Sequence, residues 1–192
     1  MNKIRVRKIW ELLIESTYLG VVFLLPLFFS IIPKTANVFD LNKTILFRVL
    51  VLFLTLSYLF GVLFIEGVFK DFVNTLKTRG RYLIVPLLFL ASLVLITFSS
   101  DFSGLSFWGL YERQMGLYSY IYFLLFFSLL FFYVKKNAQL NKILFAISLS
   151  SFLVCIYGLI QAVGADPLSW AESTHARISS TIGQTNFLIK LG

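Results

Sequence analysis

The residues whose types and spacing could support chemistry are concentrated in one polar stretch, positions 157–186. It contains the only histidine of the chain, His175, and Arg177 follows two residues later. The Ser- and Thr-rich run 179–186 precedes an apolar segment, so it can supply the N-cap of a helix. Unpaired N–H groups at a helix start favour anions, and a guanidinium can hold a phosphate through two parallel hydrogen bonds. This pattern indicates a phosphate or diphosphate site built from Arg177 and the helix start.

Each candidate also has an interpretation that involves no ligand. Arg177 can be an anchor at the membrane interface, and the run behind it only a helix cap. His175 can act as a base, donate to a phosphate or lie in a solvated loop. Lys190 lies one turn beyond Asn186 on the same helix face, where it can bind substrate or extend to the outer surface. Gln161 can hydrogen-bond substrate or cap a neighbouring helix, and we expect a packing role.

A second set of polar residues lies in the predicted loop 99–115. Trp108 and Tyr111 are typical of an aromatic belt at a membrane interface. Arg113 follows Glu112, so the two can form an ion pair at the rim. The functional interpretation makes Arg113 a second cation that faces the same outer cavity as Arg177.

Composition places these residues in a membrane protein. The chain is 58% hydrophobic and 18% aromatic, with a mean hydropathy of +0.86, whereas soluble domains are about 45–50% apolar. The apolar residues come in blocks of about 17–21, the length at which a helix crosses the hydrocarbon core. The sequence therefore predicts an all-α, polytopic transmembrane helix bundle. We expect five complete spans and the start of a sixth near Asn186: 12–32, 45–65, 82–98, 116–134 and 143–163.

Two residues inside these spans lead to predictions about local helix geometry and side-chain position. Pro26 falls in the middle of the first span and should kink it. Arg48 is placed in the first turn of the second span, from which its long side chain can snorkel to the interface.

The Lys and Arg residues that give the chain its net charge of +8 are concentrated in alternate loops. Eleven Lys and Arg residues fall in the N-terminal segment and the loops 66–81 and 135–142, and four fall in the alternate loops. The positive-inside rule then places the N-terminus in the cytoplasm and loops 34–44, 99–115 and 164–185 outside. The sequence has no nucleic-acid-binding, metal-binding or nucleotide-binding motif, and its single Cys155 permits no internal disulfide.

Three groups of residues resemble the O-antigen ligase superfamily. The run 157–186 resembles the family pattern YGxxQxxGxDP … RxxSTxGNPN, with Gln184 and Thr185 where the family has Asn-Pro. The segment 26–43 resembles the first outer loop of that family. The segment 111–117 resembles its R-x-x-G motif before the fourth span.

The resemblance implies a multi-span glycosyltransferase of the bacterial cytoplasmic membrane, without a metal or other cofactor. Such enzymes move a glycan from a polyprenyl-diphosphate carrier to lipid A–core, another glycan or a protein hydroxyl outside the membrane. Arg177 matches the arginine that holds the diphosphate, and Thr185, Asn186, Arg113 and Lys190 complete the expected substrate site. His175, Gln161 and Gln184 are further candidates. The catalytic histidine of the family lies in a later outer loop.

We therefore expect residues 1–192 to be one transmembrane domain, the N-terminal part of a longer enzyme, with no activity of its own. A sixth helix that starts near Asn186 and ends at Gly192 is too short to cross a bilayer. The alternative function is a non-catalytic membrane protein, such as half of a transporter or an assembly subunit. A transporter half would be followed by an inverted repeat of these spans, whereas a ligase would be followed by a long outer loop with a histidine.

The charge distribution yields a topology prediction. Fusions of a reporter enzyme that is active only after export should be active at Gly104 and at Ser169, and inactive in the loop 135–142. The measurement is reporter activity normalised to fusion abundance. A reporter that is inactive at Gly104 or Ser169, but active between 135 and 142, would reverse the topology.

Overall fold

The computed structural model describes residues 3–28, 40–110 and 114–165, and every regular element in them is helical. One short 3₁₀ turn, Gly80–Leu83, joins α3 to α4. The α-helices in chain order are α1 Lys3–Leu27, α2 Asp40–Phe64, α3 Val68–Arg79, α4 Ile84–Phe98, α5 Ser103–Trp108, α6 Leu117–Tyr133 and α7 Asn137–Ala162.

The long helices support a multi-pass membrane protein. Four helical segments are long and apolar enough to cross a bilayer: Ile4–Leu27, Asp40–Phe64, Val68–Phe98 and Asn137–Ala162. The helix α6 is apolar but has only 17 residues, at the lower limit for a span. Large apolar side chains are exposed along these helices, including Phe98 at 79% and Leu63 at 74%, as expected for surfaces that face lipid. The predicted sixth helix lies outside the described residues.

The predicted boundaries of the first span are wrong. The span was expected at 12–32, but α1 begins at Lys3 and ends at Leu27. Apolar windows detect only the hydrophobic part of a helix, whereas Lys and Arg are good helix formers and extend it. Pro26 is the penultimate residue of α1 rather than its midpoint, so the predicted mid-span kink is absent from the described helix.

The predicted loop 66–81 is also wrong, because most of it is the helix α3. Val68 and Thr75 are buried, and the Phe72 ring lies 4.7 Å from that of Phe132 in α6. The three residues lie three or four positions apart, so they share one helix face. That face packs against the bundle. This packing stabilises the helical state of a segment whose content of charged residues is typical of a loop.

Helix α1 contributes one face to the core of the bundle. It packs along α2 and α7, α2 packs on α6, and α4 packs on the outside of α6. Ile14 and Tyr18 are each 1% exposed, and they form one buried cluster with side chains of α2, α6 and α7. Val21 continues the same stripe into a second cluster with Phe47, Val51 and Tyr122.

A close crossing of α1 and α2 depends on Gly61. The Trp10 indole N–H donates to the backbone carbonyl of Ser57, at 2.8 Å, and the indole ring lies where a β-carbon on residue 61 would be. Only glycine leaves this space, so Gly61 allows the ring to lie against the α2 backbone.

Gly61→Val should lower the free energy of unfolding by about 1–3 kcal/mol, since it forces the indole out of its place. The measurement is the thermal midpoint in detergent together with tryptophan emission, which should shift as the indole loses its hydrogen bond. Gly20→Ala is the control, because a β-carbon there has no neighbour within 4 Å. Equal midpoints for Gly61→Val and wild type would show that the α1–α2 crossing does not need this glycine.

Candidate functional site

Most of the residues that the sequence singles out lie outside the described part of the chain. Arg113 lies at one of the positions 111–113, and the rest lie within 166–192: His175, Arg177, Gln184, Thr185, Asn186 and Lys190. Their proposed roles therefore stay predictions.

Gln161 is the one predicted site residue whose surroundings are described. It lies next to the C-terminal residue of α7 and is 2% exposed. Its backbone carbonyl accepts the Gly164 N–H at 3.0 Å, where the chain turns out of the helix. The Gln161 side chain is therefore buried where α7 ends, and its role stays a prediction.

The polar cluster that the helices do assemble is centred on Arg48 of α2. One terminal nitrogen, Nη1, donates to the Gln114 side-chain oxygen at 2.6 Å. The other, Nη2, donates to the Gln114 backbone carbonyl at 3.1 Å and to the Ser119 hydroxyl at 2.7 Å. The guanidinium carbon also lies 4.7 Å from the centre of the Tyr118 ring, within the range of a cation–π contact. The Arg48 cluster, as we call it, joins the third turn of α2 to the start of α6.

The chain before α6 is shaped to meet this arginine. Gln114 has a φ of 50°, in the left-handed region that non-glycine residues rarely adopt. A few residues earlier, Gly109 has a φ of 81°, and a β-carbon on it would lie 2.6 Å from the backbone nitrogen of Gly116. Gly109 and Gly116 thus allow a close approach between two parts of the backbone. The Gln114 carbonyl lies next to this approach and accepts a hydrogen bond from the guanidinium. The Ser119 hydroxyl also donates to that carbonyl.

Aromatic rings surround the polar centre. The Tyr118 ring lies 5.1 Å from that of Trp108 in α5 and 5.1 Å from that of Tyr122 in α6. The Tyr118 and Tyr122 hydroxyls are 3.0 Å apart and hydrogen-bonded. Hydrogen bonds within a helix bundle reduce the cost of polar groups at membrane depth.

The electrostatics of the cluster favour an anion. Among the described residues, Arg48 donates only to neutral acceptors, and no carboxylate there forms an ion pair with it. Its Nε is buried and has no hydrogen-bond partner among those residues. An intramembrane cation of this kind is a default candidate for function. In the described parts of the chain, no group of three or more His, Cys, Asp or Glu residues could hold a metal.

The predicted position of Arg48 in the first turn of α2 is wrong. Arg48 is the ninth residue of α2 and therefore lies in the third turn, not the first, because α2 begins at Asp40 rather than at Ile45. Its side chain is hydrogen-bonded to Gln114, just before α6, and to Ser119 in its first turn. The signal that could have identified this contact is Ser119, a polar residue in an otherwise apolar and aromatic helix start.

No protein-family model, curated protein or solved structure matches this chain. The resemblance to O-antigen ligases therefore rests on the motif residues alone.

Arg48→Leu should destabilise the connection between α5 and α6. Loss of charge-assisted hydrogen bonds costs about 1.5–3 kcal/mol, and amide hydrogen exchange across residues 114–119 should accelerate accordingly. Arg48→Lys should recover less than half of the protection, because an ammonium cannot reproduce the planar fork. The measurement is hydrogen exchange by mass spectrometry in detergent.

Arg81→Leu is the matched control for charge. Arg81 is exposed, and its described contacts are with the adjacent Tyr82, whose hydroxyl accepts its hydrogen bond at 3.0 Å. Exchange across 114–119 should be unchanged in this variant. Unchanged exchange in Arg48→Leu as well would show that the hydrogen bonds of Arg48 do not hold this segment.

Proposed function

We propose that this chain belongs to an O-antigen-ligase-like membrane glycosyltransferase that uses a polyprenyl-diphosphate glycan as donor. The acceptor is a hydroxyl of lipid A–core, of another glycan or of a protein, outside the bacterial cytoplasmic membrane. The five apolar helices α1, α2, α3–α4, α6 and α7 would be its first five spans, with the N-terminus in the cytoplasm.

The observation that carries the proposal is the position of Arg48 inside the bundle, where its hydrogen bonds to described residues go only to neutral acceptors. The cluster lies near the start of α2 and the start of α6, which the charge distribution predicts to face outward. Gln114, to which Arg48 donates two of its hydrogen bonds, directly follows Arg113, the arginine of the family-like motif. A fixed positive charge next to that motif suits a donor whose leaving group is a diphosphate.

In the proposed glycosyl transfer, this part of the protein needs only to bind the diphosphate and stabilise its developing charge. The bond between the anomeric carbon and the diphosphate oxygen breaks, and the acceptor oxygen forms a new bond to that carbon. The acceptor proton passes to a base, and the negative charge develops on the departing diphosphate. Arginines fixed near that oxygen stabilise the charge without reorganising during the reaction. In our proposal Arg177 holds the diphosphate, with Thr185, Asn186 and Lys190 beside it, and the base is a histidine downstream of residue 192.

The Arg177 variants test this proposal in the product of the complete gene. Arg177→Ala should abolish glycan transfer, and Arg177→Lys should restore it poorly, because a point charge does not replace bidentate recognition. The measurement is transfer of glycan from a polyprenyl-diphosphate donor, at matched abundance in the membrane. Arg79→Ala, at the end predicted to be cytoplasmic, is the control and should transfer normally.

Two results would contradict the proposal in different ways. Near-normal transfer by Arg177→Ala would reduce Arg177 to an interfacial anchor. No transfer by the wild-type protein with any of the three acceptor classes would favour the non-catalytic alternative.

A further inference from the structure

A polar cavity of about 200 Å³ lies at the end of the bundle opposite to the Arg48 cluster. Residues of five helices line it, from the N-terminal parts of α1, α3 and α7 and the C-terminal parts of α2 and α6. These are the helix ends that carry most of the Lys and Arg residues, so the positive-inside rule places the cavity at the cytoplasmic interface. Neither the resemblance nor the proposed glycosyl transfer assigns it a role.

Aromatic side chains form one wall of the cavity. They are Trp10, Tyr58, Phe132 and Tyr133. The Trp10 N–H is already bonded to the Ser57 carbonyl, and the Tyr133 hydroxyl donates to the Glu11 carbonyl at 2.9 Å. The polar atoms of these two residues are therefore committed within the protein. The wall offers amphipathic rings of the type found at the depth of lipid headgroups.

The charged residues of the lining are divided into two groups. Arg7 bonds Glu11 at 3.0 Å and Asp71 at 2.9 Å, so both carboxylates of the cavity are engaged by one guanidinium. Lys135 and Lys136 are exposed and form no ion pair within the described ranges. Three cations and two carboxylates leave the lining with one positive charge in excess.

We propose that this cavity binds the headgroup phosphate of an anionic phospholipid from the adjacent leaflet, with Lys135 and Lys136 as its ligands. A phosphodiester carries one negative charge, which matches the excess of the lining. A choline or ethanolamine lipid adds a compensating positive charge, so it would leave the excess unneutralised. Basic pockets between transmembrane helices at the cytoplasmic side are known to suit anionic headgroups.

The side chain of Gln139 fixes the backbone of the two lysines. Its oxygen accepts the backbone N–H of Lys135 at 2.9 Å and that of Lys136 at 3.1 Å. The short connection between α6 and α7 is thus fixed to the first turn of α7. Both lysines are held at the mouth of the cavity by their backbone, and only their side chains need to be ordered by the lipid.

The test uses the whole chain in nanodiscs that contain equal amounts of phosphatidylglycerol and phosphatidylcholine. The protein is released and its retained lipids are counted by native mass spectrometry. We expect wild type to retain phosphatidylglycerol in preference to phosphatidylcholine. Each lysine should contribute about fivefold, so Lys135→Gln with Lys136→Gln should lower the preference about 25-fold.

The control pair removes the same charge from the C-terminal end of α3, outside the cavity lining. Lys77→Gln with Arg79→Gln changes two exposed cations of α3 that are not part of the cavity lining, and it should keep the preference. An equal loss in both pairs would indicate general attraction to the surface and overturn the proposal. Equal retention of the two lipids by wild type would also overturn it.

A second measurement distinguishes a lipid from a free anion. In detergent, the reactivity of Lys135 and Lys136 with an amine-specific reagent is compared with phosphatidylglycerol or with inorganic phosphate added. Protection by the lipid alone is the expected result. Equal protection by inorganic phosphate at the same concentration would identify a site for a soluble anion and would contradict the proposal.

Discussion

One face of α1 is the surface on which the other helices are arranged. Trp10, Ile14, Tyr18 and Val21 recur at the spacing of a helical stripe, and each contacts a partner helix through large apolar or aromatic surfaces. The stripe is continuous over about three turns, so α2, α6 and α7 must approach one side of α1. The glycine at position 61 then sets how closely α2 can pack, because the indole of Trp10 occupies the space of its side chain.

Within that frame, polar residues are collected at the two ends of the bundle. Polar groups at membrane depth need partners from the protein, since lipid supplies none. At one end Arg48 is bonded to Gln114 and Ser119, and at the other Arg7 is bonded to Glu11 and Asp71. Both arginines tie helices together that are distant in sequence, so each polar contact also stabilises the helix arrangement.

The two ends differ in how their charge is compensated, and this difference separates their proposed roles. Arg7 is neutralised by two carboxylates, and the lysines beside it lie at an open mouth, which suits a lipid phosphate at the surface. Arg48 is bonded to neutral acceptors only, among the described residues, and it lies deeper in α2. A charge with only neutral partners in a low-dielectric environment attracts anions over a longer range than one exposed to water. In our proposal this charge acts on the diphosphate of the donor.

The membrane class, the helical fold and the approximate positions of the apolar helices could be predicted from the sequence, because helix length and hydropathy are local properties that depend on the bilayer thickness. The core of α6 was predicted almost to the residue for this reason.

The helical state of α3 and the position of Arg48 could not be predicted, since both depend on contacts between segments far apart in sequence. The segment that contains Val68 and Thr75 is helical because this face packs on the bundle. Arg48 meets Gln114 where Gly109 and Gly116 allow a close approach of the backbone. Only the tertiary structure decided which polar residues meet, because the energy that selects those contacts comes from partners more than 60 residues away in the chain.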